Sequence, residues 1–123
     1  MSNRPVDVLL EDTITSVNYI EQFIEGYDFQ SFKADRKTLD ATIRNLEVIG
    51  ETAKLLPEDF KQQYPNIAWK QIIGLRNVAI HGYFRVDVTI LWQIVTQDLP
   101  SLKLQIQAAM VQINNMLEDQ SSS

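Results

Sequence analysis

Apolar residues recur at steps of three and four along almost the whole chain, and no stretch alternates apolar with polar residues for long enough to make a strand. A period near 3.6 gathers such residues on one stripe of a helix, so the pattern commits the chain to helices that bury their stripes against one another. The first run, Leu9, Leu10, Ile14, Val17, Ile20, Phe23, Ile24 and Tyr27, predicts a helix from about Pro5 to Gly26. Proline suits a first helical turn, where its missing N–H has no acceptor, and glycine reaches the left-handed conformation that ends a helix. The segment YDFQSFKAD that follows is expected as a loop.

A second run starts after Asp35, a residue able to cap a helix, and carries Leu39, Ile43, Leu46, Ile49 and Ala53 up to Pro57. Gly50 lies inside it, at a cost in helix stability relative to alanine, which predicts the close approach of a neighbouring helix there. PEDFKQQYPN reads as one short helical turn and a loop, with Pro65 forcing Tyr64 out of helical geometry. Asn66 is expected to cap the next helix, which carries Ile67, Trp69, Ile72, Ile73, Leu75, Val78, Ala79 and Ile80. That helix is apolar nearly all round and should be buried. The last run, from Val88 through Trp92, Val95, Leu99, Leu102, Ile106 and Ala109 to Ile113, makes a seam for packing on other helices. Pro100 should kink or split it, with Asp98 available to cap the second piece. The expected fold is all-α: an up-and-down bundle of four main helices plus a short one, in a single domain over residues 1–123, with an ordered core over 5–118 and a frayed polar tail.

With no cysteine and one histidine among 123 residues, neither a disulfide framework nor a thiolate or histidine-built metal site is expected, and no cofactor is called for. The N-terminal apolar residues are broken by Asp7, Glu11 and Asp12, unlike a signal peptide or a spanning helix, so a cytoplasmic protein is expected. A net charge of -5 argues against coating nucleic acid through a general basic field. Any RNA site must be local. Lys70, Arg76 and Arg85 supply such an island, because the segment from Trp69 to Val86 holds three cations and no acid; they are the candidate RNA contacts.

The segment LRNVAIHGYF places Arg76, His81 and Tyr83 within eight residues, with Asn77 four before His81 and so on its face of the helix. Arginine offers a planar, permanently charged fork suited to a phosphodiester, histidine moves protons near neutral pH, and tyrosine adds a hydroxyl and a stacking face. These are the parts of a metal-free ribonuclease site. Arg76 could equally be a structural ion pair with Glu51 or Glu47, a role compatible with catalysis. Trp69 and Trp92 sit at apolar helical positions and read as core.

An arginine, four residues, a histidine and then a tyrosine two further on resembles the signature of HEPN-domain RNases, in particular of HepT-like toxins paired with a minimal nucleotidyltransferase antitoxin. The blocks RNLEVIGETAKLLPEDF, YPNIAWKQIIGLRNVAIHGYFRVD and LWQIVTQDLPSLKLQI extend the resemblance over roughly Arg4 to Ile106. It implies a homodimer whose two motifs meet in one cleft and cut RNA without metal. Arg76 would hold the scissile phosphate, and His81 would move the proton as the ribose 2′-OH attacks. Tyr83 matches the tyrosine that the antitoxin modifies with AMP, and the added phosphates would repel substrate. Asn77 would support the site by hydrogen bonding. Glu51, in IGE, matches a further motif position, either catalytic or a partner of Arg76. Since one histidine cannot be acid and base at once, a single His81 per chain agrees with a paired site. Two other readings are a non-catalytic scaffold that offers Tyr83 to a nucleotidyltransferase, and a helical bundle whose cleft binds a nucleotide.

Overall fold

The computed structural model describes residues 5–77 and 87–121. Among the described residues seven α-helices run in the order α1 (Val6–Phe23), α2 (Phe29–Ala34), α3 (Arg36–Leu55), α4 (Glu58–Gln63), α5 (Trp69–Gly74), α6 (Val88–Gln93) and α7 (Leu99–Ser121), with a π-helical turn over Ile94–Asp98 between the last two. Among the described residues there is no strand, and the chain is the all-α bundle expected. No helix among these residues is long and apolar enough to cross a membrane.

The three long helices make the core because their stripes meet. Leu9, Leu10, Val17 and Ile20 of α1, Leu46 and Ile49 of α3, and Leu99 and Ile106 of α7 are each no more than 2% exposed. The carbonyl of Pro5 accepts the first α1 bond, from the Leu9 N–H at 3.1 Å. The helix ends at Phe23, and Gly26 takes a φ of +78° in the turn beyond.

The chain after Gly26 is not the loop expected. Asp28 accepts from the Ser31 N–H at 2.8 Å while the Ser31 hydroxyl accepts from the Asp28 N–H at 2.9 Å, a reciprocal cap that starts α2. Phe32, fully buried, pins this six-residue helix to the core, its ring centroid 4.9 Å from that of Trp92. Asp35 then ends α2 and starts α3. Its carboxylate accepts from the Thr38 N–H at 3.2 Å, from the Thr38 hydroxyl at 2.9 Å, and from the Tyr27 hydroxyl.

As expected, α3 stops before Pro57, and Tyr64 (φ -127°, ψ 62°) leaves helical geometry ahead of Pro65. Lys61 of α4, only 7% exposed, turns back to pair with Glu58 at 3.2 Å and donates at 3.4 Å to the Ala53 carbonyl, which also accepts the Leu56 N–H at 3.3 Å at the end of α3. Asn66 does not cap the following helix. The residue before α5 is Ala68, with no side-chain cap, and the Asn66 carbonyl accepts from the Gln105 amide at 3.2 Å. The start of α5 is fixed by Trp69, whose indole N–H is shared between the Lys61 and Tyr64 carbonyls, each at 3.1 Å.

Two further expectations need correction. Within α5 only Ile72 is buried, Ile73 being half-exposed and Lys70 and Gln71 exposed, because the helix lies on the rim of the bundle rather than inside it. Pro100 neither splits the last run nor calls on Asp98 as a cap. The preceding turn widens instead, the Leu99 N–H bonding to the Ile94 carbonyl five residues back, and Asp98 lies within it. A π turn gives a proline ring room without interrupting the helical path. Leu91, Val95, Leu99 and Leu102 stay buried across it.

Candidate functional site

Arg76 stands two residues past the end of α5, its backbone N–H bonding to the Ile73 carbonyl at 3.3 Å. Its position is set by a residue without a side chain. A Cβ built on Gly50 would lie 2.5 Å from the Arg76 nitrogen, 3.0 Å from the Arg76 Cβ and 3.0 Å from the Ile73 carbonyl oxygen. The close approach expected at Gly50 is therefore present, and what approaches is the backbone of the arginine itself.

The neighbours of Gly50 complete the arrangement. Ile49 is fully buried and anchors α3 in the core, while Glu51 points outward with Oε1 3.8 Å from the Arg76 guanidinium. That distance is too long for a hydrogen bond. The two side chains are 28% and 54% exposed, so the pair contributes at most about 1 kcal/mol. Glu51 thus biases the direction of the guanidinium without occupying it. Among the described residues no hydrogen bond engages the five N–H donors of Arg76, which leaves a partly open cation ready for an oxyanion.

The other expected site residues fall as follows. Asn77, next to Arg76, is exposed. Lys70 is exposed on α5 and borders a shallow surface cleft with Glu58, Lys61 and Trp69, whereas Arg76 is brought to Gly50 and Glu51. His81, Tyr83 and Arg85 lie outside the described residues. Among the described residues no three His, Cys, Asp or Glu side chains converge as metal ligands would.

Sequence reasoning missed a cleft of about 510 Å³ between α5 and the start of α7. Its polar rim is assembled from Asn66, Gln71, Asp98, Ser101 and Gln105. These residues come from separate elements, so no spacing along the chain could have revealed them.

Comparison with known proteins gives a consistent result. Residues 13–109 match the family model described as HepT-like, ribonuclease HepT-like. A protein of Methanocaldococcus jannaschii named as an inferred RNase is 38% identical over 107 residues, covering 87% of this chain and 98% of its own. A Thermococcus cleftensis protein named "Probable ribonuclease HepT" is 46% identical over 94 residues, 76% of this chain and 86% of its own. No solved structure matches the chain significantly.

Proposed function

Because the chain belongs to the HepT-like ribonuclease family, we propose that it is an endoribonuclease, and that it serves as the toxin of a cytoplasmic toxin–antitoxin pair. The observation that carries this reading is the state of Arg76: a permanent cation, held by its backbone against Gly50, lightly attended by Glu51 and partly open to solvent. Such a guanidinium can exchange a distant carboxylate for two oxygens of a phosphodiester at little cost.

With the phosphate held there, the ribose 2′-oxygen attacks phosphorus and its proton passes to a His81 imidazole. The bond from phosphorus to the 5′ oxygen breaks, and that oxygen takes a proton from a second, protonated imidazole. The products are a 2′,3′-cyclic phosphate and a 5′-hydroxyl. In this reading the working form is a homodimer whose two copies supply acid and base, in keeping with one histidine per chain. Asn77 supports the site by hydrogen bonding, and Lys70 and Arg85 steady the flanking strand. No metal ion or cofactor takes part. The antitoxin is a minimal nucleotidyltransferase that places AMP on the Tyr83 hydroxyl, bringing negative charge to where the substrate phosphate must sit.

The test is digestion of total RNA by purified protein in excess EDTA, comparing wild type with Arg76→Ala and His81→Ala. Cyclic-phosphate ends from wild type alone are expected; ends that also form with either variant, or only when metal is restored, overturn the mechanism. The net charge of -5 favours one competing reading, a scaffold that binds the nucleotidyltransferase and offers Tyr83 without cutting RNA. Modification of Tyr83 in protein that never cleaves would select it.

A further inference from the structure

The cleft between α5 and α7 has an apolar floor and a polar rim. Ile72, Leu99 and Leu102 at its base are buried, while Gln71 and Asp98 at its edge are exposed. Among the described residues none of those lining it is a lysine, arginine or histidine. The cleft therefore offers a phosphate no cationic partner among the described residues. Its volume of about 510 Å³ falls in the range of small-molecule sites, and its build suits a flat, uncharged ring that buries its faces and hydrogen-bonds along its edge.

Its position ties it to Arg76. Leu75 borders the cleft, and the next residue in the chain is Arg76, with consecutive Cα atoms about 3.8 Å apart. The wall of the cleft thus runs to the residue that precedes Arg76 in the chain. Asp98 sits in the π-helical turn, and its carboxylate makes no hydrogen bond or ion pair with a described residue. The π turn interrupts the regular helical path here, and such turns are frequent at functional sites.

We propose that this cleft receives one unpaired base of the RNA strand whose scissile phosphate lies at Arg76, and that Asp98 selects a base bearing an amino group over uracil. The inference rests on the ribonuclease reading above. Single-stranded RNA is read by splaying bases out and bonding their edges. An ionised carboxylate can only accept. Adenine and cytosine present an exocyclic amine to it, and guanine presents an amine beside a ring N–H. Uracil flanks its one N–H with two carbonyls, so at least one oxygen is driven toward the carboxylate. Gln71 and Gln105 carry both donors and acceptors and serve whichever base enters, so the choice falls to Asp98.

The first arm of the test digests an RNA library with randomised sequence around the cut and reads the base composition at each position beside it. Wild type is expected to show depletion of uracil at one such position. Asp98→Asn, which replaces an acceptor by a group that can also donate to a uracil carbonyl, should shrink that depletion about tenfold, measured as a ratio within each digest. An unchanged ratio overturns the inference. The second arm needs no cleavage and so separates failure here from failure of the ribonuclease reading. ¹⁵N-labelled His81→Ala protein is titrated with AMP, CMP and UMP while the side-chain amides of Gln71 and Gln105 are followed by NMR. Shifts that saturate at lower AMP and CMP than UMP concentration support the cleft; equal response to all three, no response, or shifts that follow protein concentration, as a second copy in the cleft would give, overturn it.

Discussion

Replacing Gly50 by alanine adds one methyl group at the point where α3 meets the backbone of Arg76. Ordinary van der Waals contact begins at 3.4 Å, and the Arg76 nitrogen stands 2.5 Å from the new Cβ. The difference, 3.4 - 2.5 = 0.9 Å, must come from separating the two segments, since two of the three nearest atoms are main-chain and cannot rotate away. Overpacking of this kind costs about 1–3 kcal/mol, against a gain of up to about 1 kcal/mol from removing a glycine from a helix interior. The net loss should lie between about 0 and 3 kcal/mol. Activity should suffer more, because a displacement near 1 Å of a phosphate-holding group can cost roughly a hundredfold in rate. Chemical denaturation gives the first quantity, and initial rates on a fluorogenic RNA, corrected for folded fraction, give the second. A Gly50→Ala protein that is as stable as wild type and cuts as fast would refute the idea that this contact positions Arg76.

Phe32→Ala should destabilise the fold by about 3–5 kcal/mol, because the ring is fully buried against Trp92; a loss below about 1 kcal/mol in urea denaturation would mean that α2 is not anchored by it. Glu51→Gln should move the midpoint of unfolding by less than about 1 kcal/mol equivalent, as befits a half-exposed pair at 3.8 Å; a larger loss would make Glu51 a structural partner of Arg76. The Tyr27 hydroxyl, followed by Thr38, holds the Asp35 carboxyl below its ordinary value of 3.8. A carboxyl depressed in the folded state contributes stability that is present above its unfolded value and lost as pH falls through its folded one. Tyr27→Phe should therefore lower stability at neutral pH and flatten its fall below about pH 4, with the Asp35 titration moving up by NMR; an unmoved titration would show that the hydroxyl is not its main partner.

The long elements were legible because their stripes are long. The three- and four-residue steps of α1 and α3 run for several turns, Asp35 and Pro57 bracket α3, and a glycine inside a helix is costly enough that Gly50 had to mean close packing. α2 was illegible because six residues are too few for a period, and its cap uses Ser31 where a glutamate or glutamine would have been the familiar sign. Asn66 misled for a different reason: the start of α5 is held by the indole of Trp69 reaching carbonyls five and eight residues back, which no local preference encodes. Likewise Pro100 announces an interruption, but whether helix breaks or merely widens depends on what the flanking residues bury. The candidate order Arg76, Asn77, His81, Tyr83 was readable as spacing. That Glu51 rather than Glu47 attends Arg76 required the helices to be set side by side.

Lys61 has a consequence of a mechanical kind. Its ammonium group holds the end of α3 through Ala53, and its carbonyl receives the indole at the head of α5, so one residue fastens three helices in series. At the other end, the tail of α5 bears on Gly50 of the same α3. A rod pinned at one point can still swing, whereas a rod pinned at both ends of its length moves only with what it is pinned to. α5 is therefore carried by α3 as a rigid strut, and the side chain of Arg76 has its own torsions as its main freedom. With α5 tied at both ends to its neighbours, it is the Arg76 side chain, turning about its own bonds, that adjusts to an incoming ligand.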